Sequence, residues 1–165
     1  MTLDTGLLFC QARRTFLLQQ EVERLLRSLD CGLGRTAAAF SEEELFPALS
    51  ALLGQCGAVF VVSPEEACGP WLRPSAAAPL FRRLRVAVGE DGEPKDILRL
   101  YGEKAEGYLV ESRTQAICLL PDLPQELPAL LDGAAKPLCE KFGLTRRVPE
   151  QPPSLDFDAQ LPPGR

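Results

Sequence analysis

Not one of the chain's 165 residues is a histidine, which removes the commonest general base and the commonest metal ligand together. Ser–His and Cys–His nucleophile pairs are excluded, as are zinc sites of the His-containing types. CxxC pairs are also lacking. The six cysteines, Cys10, Cys31, Cys56, Cys68, Cys118 and Cys139, are spread widely, a spacing that argues against an all-cysteine zinc site and, without a secretory signal, against a disulfide framework. We read them as reduced, with Cys118 and Cys139 packing as small hydrophobes. Cys68, beside Gly69 and Pro70, is the most exposed by context, but the chain has no imidazole to activate it. No stretch approaches the roughly 18 apolar residues of a transmembrane helix, and MTLDTGLLFCQARR has no basic segment ahead of a long apolar run. A soluble, cytoplasmic protein is the expectation. Positive charge is in the minority: 18 basic against 23 acidic residues, net −5, argue against nucleic acid or an anionic membrane as partner.

What is present is an ordinary globular composition, 45% hydrophobic and 25% charged, sufficient for one α/β domain with a substantial core. Residues 1–148 are expected to form it. Residues 149–165, PEQPPSLDFDAQLPPGR, are proline-rich with little periodicity and read as an extended or flexible tail, the alternative being docking on a neighbour through Leu155 and Phe157.

Along the chain, the apolar run Thr5 to Cys10 predicts a strand, and Leu18, Val22, Leu25, Leu26 and Leu29 fall on one face of a following helix that stops at Cys31-Gly32. Leu33 to Phe40 predicts a second strand. Ser41 and Glu44 have capping-box spacing before Leu45, Leu49, Leu52 and Leu53, and Pro47 is expected to kink or delay that helix. Gly57 to Ser63, short and β-branched, reads as a central strand covered on both faces. The proline-rich segment 64–79, holding the only tryptophan, Trp71, reads as an irregular excursion. Leu84 to Val88 alternates towards a strand, Lys95 to Tyr101 reads as helical, and Gly107 to Glu111 with Gln115 to Leu120 has the spacing of a β-hairpin. Leu127, Leu130, Leu131, Ala134 and Leu138 predict a last helix, broken or kinked at Pro137 and capped by Gly143.

Residues 117–127, ICLLPDLPQEL, carry the sharpest signal: a strand runs through a proline-punctuated turn into a helix. Free helix-start N–H groups then stand at a strand end, where α/β proteins gather anions. Gln11, Arg13 and Arg14 follow the first strand at the same expected edge and are candidate phosphate contacts, Arg13 and Arg14 through their guanidinium groups. Arg82, Arg83 and Arg85 form the densest basic group, divided between two faces if they lie on a strand. Asp122 places a side chain and a negative charge where glycine would serve an anion best; as a helix-start residue it is expected to cap the N–H of Gln125. Glu126 suits a helix first turn.

Three segments, TGLLFCQARRTFLLQQEVERLLRSLDCGL, SEEELFPALSALLGQCGAVFVV and AICLLPDLPQELPALLDGAAKPLCEKFG, together resemble the molybdenum-cofactor-binding (MoCF) type of domain, specifically the N-terminal domain of the competence/damage-inducible protein CinA. The third is the most specific, with an LPGPPxE-type turn and an EKFG-like end; its Pro121, Pro124 and Glu126 keep the family outline, while Asp122 and Leu123 replace a glycine and a proline. The resemblance implies a three-layer α/β/α fold with a mainly parallel sheet, a homo-oligomer, and a phosphate-bearing small molecule such as molybdopterin or a nucleotide pyrophosphate, with a divalent cation. It also implies a site from Gln11, Arg13, Arg14, Ser63, Cys68, Gly69, Pro121, Asp122 and Glu126. The family's GGLGPTxDD-like loop is reduced here to Cys68-Gly69-Pro70, and no aspartate occurs between Asp30 and Asp91. Glu65 and Glu66 read as a solvated pair. The expectation is therefore a divergent, non-catalytic binding or assembly module with a degraded phosphate site; the alternative is a metal-dependent pyrophosphatase acting on an ADP-ribose-like substrate.

Overall fold

A computed structural model of the chain describes residues 3–64, 83–87, 89–90 and 94–147. Six strands form one sheet in the order β2-β1-β3-β6-β5-β4. They are β1 (Thr5–Cys10), β2 (Arg35–Ala39), β3 (Ala58–Ser63), β4 (Leu98–Tyr101), β5 (Glu106–Glu111) and β6 (Ala116–Pro121). Neighbours β2, β1, β3 and β6 run parallel, and β5 is antiparallel to both β6 and β4. The mainly parallel α/β fold expected from the sequence is the fold observed.

The reason lies in which residues need cover. Every residue of β1, β3 and β6 is buried, so the central sheet must be packed on both faces. Helices α1 (Thr15–Ser28) and α3 (Leu127–Phe142) cover one face, where Leu18, Leu25, Leu130 and Leu131 meet Leu7, Phe60 and Leu120. Helix α2 (Glu42–Leu53) covers the other, Leu45, Leu49 and Leu52 packing with Leu8, Val59 and Val61. The three layers follow.

Several local expectations are corrected. Lys95 to Tyr101 is not a helix: its second half is edge strand β4, paired with β5 in the register Leu98↔Leu109 to Tyr101↔Glu106, because a run this short pairs with an open sheet edge more readily than it nucleates an isolated helix. Residues 83–87 hold no strand; Arg85 has φ 59°, and Arg83 stacks 4.5 Å over the Phe46 ring, so no basic strand face forms there. Pro47 does not delay α2, which starts at Glu42. Pro137 does not break α3 either, since the buried stripe Leu130, Leu131, Ala134, Ala135 and Leu138 holds the helix to the sheet on both sides of the missing hydrogen bond. Gly143 caps it at φ 65°, as expected.

Candidate functional site

From β1 the chain passes to β2 on one side and, through α2, to β3 on the other, so the sheet reverses its order between β1 and β3. In an open α/β sheet this is where the strand ends diverge into a crevice. The described residues at that carboxyl edge are Gln11 to Arg14 after β1, Ser63 and Pro64 at the end of β3, and the Pro121–Glu126 turn after β6. The structure brings these together. Ser63 pairs with Pro121, the Asp122 N–H donates to the Ser63 carbonyl at 3.0 Å, and the Arg13 N–H donates to Asp122 Oδ2 at 2.8 Å. Cys68 and Gly69, with Glu65, Glu66, Trp71 and Arg82, lie outside the described residues.

Gln11, Ser63, Asp122 and Glu126 each make hydrogen bonds within the fold. Gln11 takes the left-handed backbone conformation at φ 52°, unusual for a residue with a side chain. Its N–H donates to the Ala39 carbonyl at 2.9 Å and its amide nitrogen to the Phe40 carbonyl, so it ties the end of β1 to the end of β2. Arg13 and Arg14 expose their side chains. Arg14 is the N-cap of α1 and supplies no side-chain cap. Ser63 is buried, its hydroxyl donating to the Pro64 carbonyl at 3.2 Å.

Asp122 departs from expectation. Rather than capping Gln125, its carboxylate crosses to the opposite strand end and meets Arg13, one residue before the α1 N-cap. It is buried, and its other oxygen, Oδ1, has no hydrogen-bond partner among the described residues. The start of α1 thus faces an anion that belongs to the protein itself, where the positive end of the helix dipole favours negative charge.

Glu126, also buried, is the N-cap residue of α3 but gives no cap hydrogen bond to it. Its two oxygens accept the N–H groups of Glu103 at 2.7 Å and Lys104 at 2.9 Å. Those residues form the tip of the β4–β5 hairpin, closed by Gly102 N–H to the Ala105 carbonyl at 2.8 Å. Glycine suits position 102, since a Cβ would crowd the Glu126 carboxylate and the Ala105 carbonyl. This clamp escapes a sequence reading; Gly102 and Gly107 flanking Glu103-Lys104 mark a turn, but nothing local links that turn to residue 126.

The Arg13 N–H is occupied, the nearest carboxylate repels an anion, and among the described residues no group of three or more Cys, Asp or Glu side chains could hold a metal ion. Among the described residues Asp122 disfavours an anion at this edge, where the Arg13 and Arg14 side chains are exposed. No helix among the described residues is long and apolar enough to cross a membrane.

Comparison with protein-family profiles and with curated proteins finds no match. Among solved structures, the chain is similar to the CinA protein of Thermoplasma acidophilum, whose function is described as unknown, with a TM-score of 0.62 at 13% identity over 83% of this chain and 98% of that one. That likeness at so low an identity is one of backbone architecture, and the chain carries a divergent form of the CinA fold.

Proposed function

We propose that this chain is a non-catalytic binding or assembly module built on a CinA-like scaffold whose phosphate site is degraded. The observation that carries the reading is the hydrogen bond from Arg13 N–H to Asp122, which puts an internal carboxylate at the helix start where an external anion would bind. Glu126 supports it, because both of its oxygens are spent on the hairpin tip. Assembly, including the homo-oligomer implied by the family resemblance, is supported by apolar side chains around the same edge. Phe16 and Phe40 are 72% and 74% exposed and flank the Gln11 turn in sequence and through the Gln11–Phe40 hydrogen bond, and exposed apolar groups of this kind mark interaction surfaces.

The test is calorimetric titration of the chain with molybdopterin and with an ADP-ribose-type pyrophosphate, each with Mg²⁺ or Mn²⁺, alongside an assay of hydrolysis. The expected result is neither saturable heat nor turnover. Metal-dependent turnover abolished by Glu65→Ala or Glu66→Ala would overturn the proposal in favour of a pyrophosphatase.

A further inference from the structure

The sheet ends in two edge strands, and they are protected unequally. Strand β4 is four residues long and carries Arg99, whose guanidinium lies 3.6 Å from Glu106 and stacks over the Tyr108 ring; short, charged edges resist pairing with another chain. Strand β2 pairs with β1 alone. Its sequence RTAAA holds no proline or glycine, its one charge stands at its first residue, and Arg35, Thr36 and Ala38 are exposed. Among the described residues the outer backbone groups of β2 have no strand partner, which makes them a template for one.

The strand is also asymmetric in charge. Arg35 opens it, and the first turn of α2, Glu42-Glu43-Glu44, follows its far end. Glu44 accepts the Phe40 N–H, but among the described residues neither the exposed Arg35 nor the exposed Glu43 has an ion-pair partner. Arg35 is held away from Glu43 of its own chain, since the four strand steps to Ala39 already span about 13 Å. A segment with a basic start and an acidic end is complementary to a second copy of itself laid antiparallel, and opposed to one laid parallel.

We propose that β2 pairs antiparallel with β2 of a second copy, about a two-fold axis at Ala37, joining two six-stranded sheets into one. The pairing rests on the assembly role proposed above and gives it a face and a partner. Alternate residues of β2 face opposite layers: Ala37 and Ala39 pack with the α2 core, so Arg35 lies on the α2 face, with Thr36 and Ala38 on the other. In this register Arg35 stands opposite the partner's Ala39, on the face and at the end where the partner's α2 begins, and each Arg35 meets the partner's Glu43. The two-fold axis makes that contact twice, closes the assembly at two copies and removes the exposed edge. Ala38, and Phe40 just beyond the strand, 74% exposed in the single chain, then lie at the seam.

Sedimentation equilibrium of the full chain tests this with Arg35→Glu and Glu43→Arg, each alone and the two mixed. The unaltered chain should dimerise. Each change alone sets like charge against like charge at both symmetric contacts and should weaken the dimer about tenfold or more, with circular dichroism unchanged. An equimolar mixture of the two variants makes both contacts complementary again and should dimerise as tightly as the unaltered chain. A dimer that neither change weakens, or a mixture that associates no better than its components, would overturn β2 pairing while leaving assembly standing. A chain monomeric at every concentration would overturn both.

Discussion

Glu126 shows how a buried carboxyl group is held by backbone N–H groups. Its carboxylate is 4% exposed and faces the N–H groups of Glu103 and Lys104, charge-assisted contacts of about 1.5–3 kcal/mol each. Glu126→Ala removes both bonds and leaves those donors unpaired, so it should cost about 2–4 kcal/mol in urea denaturation. Gly102→Ala pushes a methyl into the same carboxylate and into the Ala105 carbonyl, 3.0 Å away, and should cost about 1–3 kcal/mol alone. Combined, the two changes should cost clearly less than their sum, a coupling of about 1 kcal/mol or more, because Glu126→Ala vacates the space. Strict additivity would refute the clamp. Asp122 carries the same lesson about what sequence shows. Its placement at the strand–helix turn and its conflict with an anion are legible in PDLPQE; its partner is not, since Arg13 lies 109 positions away and a carboxylate bonds whichever donor the fold brings closest, not the nearest in sequence.

At the scale of elements, periodicity reveals the buried pieces and misreads the edge. Strands β1, β3 and β6 and the stripes of α1 and α3 are legible because burial on a face imposes a repeat. Strand β4 is not, because four residues give too little repeat and its pairing with β5 is a property of the sheet. Helix α3 survives Pro137 through the residues it buries, which means the proline is tolerated at a cost. Pro137→Ala restores an N–H for the Gly133 carbonyl and should stabilise the protein by about 1–2 kcal/mol after the looser unfolded chain is counted. A lowered urea midpoint would show that the ring's packing outweighs the missing bond.

Across the whole molecule, packing on both faces of the sheet fixes the chemistry of its thiols. Burial pushes the Cys118 thiol far above its ordinary value of 9.0. Desolvation is likewise the leading cause of the raised values of Cys31 and Cys56, opposed at Cys31 by a backbone hydrogen bond at Leu3 and at Cys56 by Arg35. Because the folded state holds these protons more tightly than the unfolded chain, their contribution is complete below the ordinary thiol value and is lost as pH rises through and beyond it. Unfolding free energy should therefore fall above about pH 8.5, and the slope should be shallower in Cys118→Ala; equal slopes would contradict that assignment. The α/β class and the CinA-like order of elements are visible in the sequence because they depend on burial. The contact between Arg13 and Asp122 that joins two strand ends is visible only in three dimensions.

That contact is tested most directly by calorimetric titration of inorganic pyrophosphate into the unaltered chain and into Asp122→Gly, with Asp122→Asn as a second variant that removes the charge and keeps the side chain. Freed of its internal carboxylate, the Arg13 N–H at the start of α1 should donate to the anion. The account predicts no saturable heat from the unaltered chain, saturable binding by Asp122→Gly, and a weaker gain by Asp122→Asn. Saturable binding by the unaltered chain that is lost in Asp122→Gly would contradict it.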